Sequence, residues 1–145
     1  VSNRALFRFE GLDELRAALR RLPSELTNEA ELIVSRAADD ARDRIVSRYP
    51  VGPGNDTYGG GNLRDHVRVV EQPGGQFGAT RIVKSTARHA FIFERGTKTR
   101  KTSKGYHRGV MPAADIFVDE AQRRRKQMYD ELAALVERAG FRVEP

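Results

Sequence analysis

Residues 24–48 constrain the fold more than any other stretch of the chain. Leu26, Ala30, Ile33, Val34, Ala37, Ala41, Ile45 and Val46 fall on one stripe at spacings of three and four, while Glu29, Glu31, Arg36, Asp40, Arg42 and Asp43 lie largely off it. That periodicity predicts an amphipathic helix. At about 1.5 Å per residue it is roughly 37 Å long. Pro23 suits a first helical turn, and Tyr49-Pro50 ends the helix, because a residue before proline avoids the helical region. The alanines at its middle admit close approach of another helix or a sheet. A helix this long with a single apolar face needs other elements laid along it.

The rest of the chain supplies them. Residues 4–10 alternate as a short strand, and residues 12–22 carry Leu12, Leu15, Leu19 and Leu22 at helical spacing. Residues 51–62 hold five glycines and a proline, and read as a loop. Residues 63–71 and 77–85 read as strands around the turn Gln72-Pro73-Gly74-Gly75, with the apolar run 89–93 as a third strand. A last helix is predicted from about Pro112, with Ala113 and Ala114 in its first turn, to Ala139. Gly140 suits its C-terminal cap. Residues 141–143 read as an edge strand or a packed tail. Along that helix Ile116, Phe117, Ala121, Met128, Leu132, Leu135 and Val136 make the buried face. Arg123-Arg124-Arg125-Lys126 breaks the stripe where an apolar residue is due. There the helix leaves the core, buries arginine stems, or faces a partner. The expected fold class is α+β: a small, mainly antiparallel sheet packed against a long central helix and a long C-terminal helix. Residues 1–145 form one domain, with flexible loops at about 51–62 and 97–109.

Charge is unevenly placed. The chain is 39% hydrophobic and 32% charged, which indicates a soluble globular protein rather than a disordered one. No apolar run approaches the roughly 20 residues of a membrane span. Val1-Ser2-Asn3-Arg4 lacks the apolar stretch of a secretory signal. With no cysteine, disulfides, thiolate catalysis and cysteine zinc sites are excluded. The net charge is +6, and Arg95, Lys98, Arg100, Lys101, Lys104 and Arg108 supply six positive charges with no acid among them. The excess therefore matches one loop, and a polyanionic neighbour is plausible. A merely solvated charged loop is the competing reading.

Motifs of catalysis are missing. His66, His89 and His107 sit on separate elements with no ligand at metal-binding spacing. There is no Gly-Lys pair for a nucleotide-binding loop, no Glu-x-Lys of a metal-dependent nuclease, and no elbow motif around a serine. Asp39, Asp40 and Asp43 beside Arg36, Arg42 and Arg44 read as pairing along one helix. The sequence therefore assigns no catalytic, cofactor-binding or metal-binding residue. The interaction residues are Lys98, Arg100, Lys101, Lys104 and Arg108, with Tyr106 and His107 among them available to stack on bases. Glu94, Gly96 and Thr97 are assigned to a structural turn, with Gly96 at positive φ and Glu94 anchoring an arginine at the loop base.

These elements and three motifs resemble the head–tail joining family, the neck or tail-completion proteins of long-tailed double-stranded DNA bacteriophages. The residues concerned are Gly11-Leu12-Asp13-Glu14-Leu15, the apolar run ending Phe93-Glu94-Arg95-Gly96-Thr97, and Pro112-Ala113 before the last helix. Pro50 and Gly61-Asn62-Leu63-Arg64-Asp65-His66-Val67 fill the place of a family strand start, with a longer glycine loop and His66-Val67 where Ser-Ile is usual. The resemblance covers about residues 5–139. It implies a structural, non-enzymatic virion protein without cofactor. Such a protein forms a homo-oligomeric ring, sixfold by preference and twelvefold next, between the head connector and the tail. Its partners are itself and the neighbouring connector and tail proteins, with possible non-specific contact with packaged DNA. Its place is the virion neck, after the host cytoplasm.

Two other readings stand beside it: a non-specific nucleic-acid-binding protein and, less favoured, a nuclease. On the leading reading the loop 98–108 is poorly ordered until a neighbour orders it. Docking on an acidic protein surface is preferred to lining the channel, because many phosphate contacts would grip moving DNA.

Overall fold

The computed structural model describes residues 12–20, 24–51, 62–75 and 78–141. The expected strand at 4–10, the glycine loop at 52–61 and the tail beyond Phe141 lie outside the described residues. Among the described residues, four helices and a two-stranded antiparallel sheet follow in the order α1 (Leu12–Arg20), α2 (Ser24–Arg48), a 3-10 turn (Leu63–His66), β1 (Val67–Gly75), β2 (Gly78–Ser85), α3 (Ala90–Arg95) and α4 (Ile116–Arg138). The fold is a small α+β arrangement in which two long helices carry the sheet.

The long central helix has the expected bounds. Its apolar stripe serves two cores in succession. In the N-terminal half, Leu26, Ala30, Ile33 and Val34 pack with Leu15 and Leu19 of α1 and with Met128, Leu132 and Val136 of α4. In the C-terminal half, Ile45 and Tyr49 are fully buried with Leu63, Val67, Ala87 and Ala90, flanked by Val83, Phe93, Ile116 and Phe117. Between the two cores lie the buried alanines Ala37, Ala38 and Ala41. α4 runs antiparallel to α2: Glu29 pairs with Arg138, Asp40 with Arg124, and Arg48 with Glu120.

The arginine block inside α4 resolves in favour of buried stems. Arg124 is 5% exposed, with its guanidinium 3.1 Å from Asp40 of α2 and 2.9 Å from Glu131 about two turns further along α4. Glu120, also 5% exposed, takes Arg48 of α2 at 2.6 Å. A mid-interface arginine thus replaces an apolar residue because small alanines leave room for its stem and carboxylates meet its head. Of the acids on α2, Asp39 and Asp43 pair along the helix with Arg42, whereas Asp40 crosses to α4.

The sheet pairs Val67 with Ser85 and Val69 with Val83, with an irregularity between Gln72 and Gly75. Alternation puts Val67, Val69 and Val83 on one face, and Val67 and Val83 join the core beside α2. Glu71 and Arg81 extend that face as a 3.0 Å ion pair. The expected strand over 63–71 begins only at Val67. Leu63–His66 instead form a 3-10 turn that buries Leu63 and lets Arg64 donate to the carbonyls of Ser47 and Tyr49. These are carbonyls at the end of α2 without helical partners, and a cation there also suits the helix dipole.

Two further expectations are corrected. The run 89–93 is not a third strand: Ala90–Arg95 form a helix. Its core-facing positions follow the buried Ala87 at spacings of three: Ala90 is buried and Phe93 half-buried, while Phe91 stands 65% exposed. A strand would have put Phe91 and Phe93 on the same face. The last helix starts at Ile116, not Pro112, because the backbone before it is already engaged. Thr97 N–H donates to the Met111 carbonyl, Ala114 N–H to that of Phe93, and Asp115 N–H to that of Glu94.

Tyr49 closes the C-terminal core. Its ring meets Phe93 edge to face at 5.7 Å between centroids. The buried hydroxyl makes no hydrogen bond of full geometry among the described residues. Burial pushes its pKa well above the ordinary tyrosine range, and the nearby Glu94 carboxylate adds to the shift. The folded pKa lies above the unfolded one, so this contribution to stability is complete below about pH 10 and is lost as pH rises further. Tyr49→Phe is expected to be neutral or slightly stabilising at pH 7 and to flatten the alkaline fall in stability. Chemical denaturation at pH 7 and at pH 11 checks this; an unchanged alkaline slope would contradict it.

Candidate functional site: a clasped cationic arm

The sequence-assigned residues converge on one unit. Glu94 lies in the last turn of α3, and its two carboxylate oxygens both accept from the Phe117 N–H at 3.1 Å. Phe117 lies in the first turn of α4, where N–H groups have no helical partner, so Glu94 caps that helix from outside. Asp115, the residue at the cap position, makes no side-chain cap and sits at φ 50°, in the left-handed region. Glu94 was expected to hold an arginine; it holds a helix N-terminus instead.

Gly96 and Thr97 complete the clasp. Gly96 has φ 70° and ψ −172°, a conformation open essentially to glycine alone. A Cβ there would lie 2.5 Å from the Met111 carbonyl oxygen and 2.7 Å from the Ala113 nitrogen. The two chain segments touch backbone to backbone at this point. Thr97 then grips Met111 twice, donating its N–H at 2.8 Å to the carbonyl and accepting the Met111 N–H on its hydroxyl at 3.1 Å.

Beyond the clasp, residues 98–110 form a hydrogen-bonded hairpin in place of the flexible loop expected at about 97–109. Arg100 N–H donates to the Gly109 carbonyl, Arg108 N–H to that of Arg100, and Thr102 N–H to that of Tyr106. Lys101 and His107 form a bridge. The tip is a turn in which Gly105 N–H donates to the Thr102 carbonyl and Thr102 Oγ1 accepts from Tyr106 N–H. Gly105, at φ 83°, supplies the left-handed residue that such a hairpin needs after its turn. The alternation of Thr97 and Thr99 with Lys98 and Arg100, closed by Ser103-Lys104-Gly105, is the sequence signal for this hairpin.

Every residue from 98 to 110 is exposed except the half-buried Thr102. Lys98, Arg100, Lys101, Lys104 and Arg108 make no ion pair with an acid among the described residues. Arg100 and Arg108 are neighbours across the two strands, and like charges in that relation destabilise a hairpin. Tyr106 is 70% exposed and Val110 62%. Arg95, at the base, lies over the exposed Phe91 ring at 5.1 Å. The clasp thus fixes the base of an exposed arm that carries five cations without acidic partners among the described residues.

The histidines stay apart: His66 meets Thr86 through its ring nitrogen at 3.0 Å, and His107 lies on the arm. No group of three potential metal ligands occurs among the described residues. No helix among them is long and apolar enough to cross a membrane. No protein-family model, curated protein or solved structure matches this chain.

Proposed function

We propose that this chain is a ring-forming structural protein of the neck of a long-tailed phage, completing the tail and joining it to the head connector around the DNA channel. The clasped arm is the observation that carries this reading. Glu94, Gly96 and Thr97, the residues of the family-like motif, hold a rigid base. From it project five cations without acidic partners, on a hairpin that presents them outward. That is the construction of a docking element: backbone geometry sets direction, and charge sets partner choice. Closed assembly follows from the same reading, with a sixfold ring preferred and a twelvefold ring next.

Removing the gene product from an infection is expected to leave full heads and separate, uncompleted tails that do not join, and supplying it in trans restores joined particles. Non-specific nucleic-acid binding is the second reading, favoured by the exposed Tyr106 among the arm cations. It predicts that the purified chain binds DNA duplexes irrespective of sequence, with affinity falling steeply as salt is raised.

A further inference from the structure

The molecule is electrically polarised along α2. The arm springs from beside Glu94, Phe117 and Tyr49, at the C-terminal end of that helix. At the other end the charge is opposite. Residues 24–35 contain Glu25, Glu29 and Glu31 and no cation. The antiparallel α4 brings Asp130, Glu131 and Glu137 to the same end, against Arg138 alone within residues 130–138. Glu29 is used by Arg138 and Glu131 by Arg124. Glu25, Glu31, Asp130 and Glu137 are exposed and make no ion pair among the described residues. Beside the α2 acids stands Leu32, 54% exposed on a helix whose other leucine and isoleucine positions are covered.

We propose that the arm of one copy docks on the acidic end of a second copy, across the N-terminal half of α2 and the C-terminal turns of α4. An arm cannot satisfy its own acids. From Glu29 to Tyr49 is about 30 Å along the helix axis, whereas an arm of six or seven residues per strand reaches about 20 Å and starts at the far end. Complementarity with these acids is therefore met only between molecules. Lys98, Arg100, Lys101 and Lys104 face Glu25, Glu31, Asp130 and Glu137, and the apolar Tyr106 and Val110 have Leu32 to cover. Because the two patches differ and lie at opposite ends, the contact is head to tail, the kind that closes into a ring when the rotation permits. The proposal deepens the ring part of the proposed function and is independent of the virion part.

The test uses the purified full-length chain and its mass in solution, by sedimentation at low ionic strength over a concentration series. One variant set reverses the arm: Lys98→Glu, Arg100→Glu, Lys101→Glu and Lys104→Glu. The other reverses the acidic end: Glu25→Lys, Glu31→Lys and Glu137→Lys. Wild type is expected to associate, with affinity falling about tenfold or more as salt is raised. Each set alone is expected to be monomeric. Mixed in equal amounts they associate again, because each positive arm then meets a negative end and each negative arm a positive one. The neutral set Lys98→Gln, Arg100→Gln, Lys101→Gln and Lys104→Gln keeps the test readable if reversal disturbs folding, and is also expected to be monomeric. A wild type that stays monomeric, a reversal set that leaves the mass unchanged, or a mixture that fails to associate would each overturn the contact. So would an arm reversal that abolishes retention of a short DNA duplex while leaving the mass unchanged. Separate heads and tails in the infection experiment would still support the neck reading in all these cases, so the two fail independently.

Discussion

Replacing Gly96 by alanine is expected to cost roughly 3 kcal/mol or more, because backbone strain and a backbone clash add at one site. At φ 70° the new Cβ meets the Met111 carbonyl oxygen, the Ala113 nitrogen and the Pro112 carbonyl carbon, all within 2.8 Å. None of these is a flexible side-chain end that can swing aside. Relief requires the Met111–Asp115 segment to part from α3, which releases the Thr97 grip and withdraws Glu94 from the N-terminus of α4. Gly105→Ala and Gly109→Ala are the controls. Both glycines have positive φ, but a Cβ at either meets nothing within 4 Å. Each control is expected to cost only about 1 kcal/mol. Urea denaturation separates the cases: the midpoint should fall far more for Gly96 than for the controls, with the slope unchanged. Equal losses at the three positions would remove the clasp from the account.

That clasp was only partly legible in the sequence. Gly96 and Thr97 were assigned to a turn because glycine and threonine have known turn chemistry, which acts locally. The partner of Glu94 was not readable, since Phe117 lies 23 residues on and nothing in the pattern points across that gap. The same limit explains α3. A run of four apolar residues, Ala90 to Phe93, fits a buried strand or one helical turn equally well. Tertiary packing of Ala87, Ala90 and Phe93 beneath Tyr49 decides for the helix. By contrast, α2 was readable to the residue, because 25 positions of one period outvote any local ambiguity and proline marks both borders. The local signal for pairing in the arm is its alternating threonines rather than its charge. Five cations alone do not reveal that strands hold them in register.

Stripping the carboxylates from Arg124 is expected to be the second large effect. In Asp40→Ala/Glu131→Ala the guanidinium, with a side chain 7% exposed, loses both ion-pair partners inside the α2–α4 interface. An uncompensated buried charge costs on the order of 3–5 kcal/mol. Arg124→Met in the same background should recover most of the loss, because an apolar residue of similar volume suits the gap left by Ala37 and Ala41. Arg124→Ala in the native background should cost less than the double variant, since Asp40 and Glu131 are about half exposed and can turn to water. Thermal or urea unfolding of the four proteins gives the order. If the double variant proved as stable as wild type, the arginine would be solvated and the packing account of α4 wrong.

The most direct measurement for the central claim is an image reconstruction of the neck of particles carrying this chain with a small tag at its C-terminus. The account predicts a closed ring of identical copies around the DNA channel, sixfold by preference, at the junction of head and tail. Each copy should place residues 98–110 against the N-terminal half of α2 of its neighbour. Absence of the tag from the junction, or a single unpaired copy there, would contradict it.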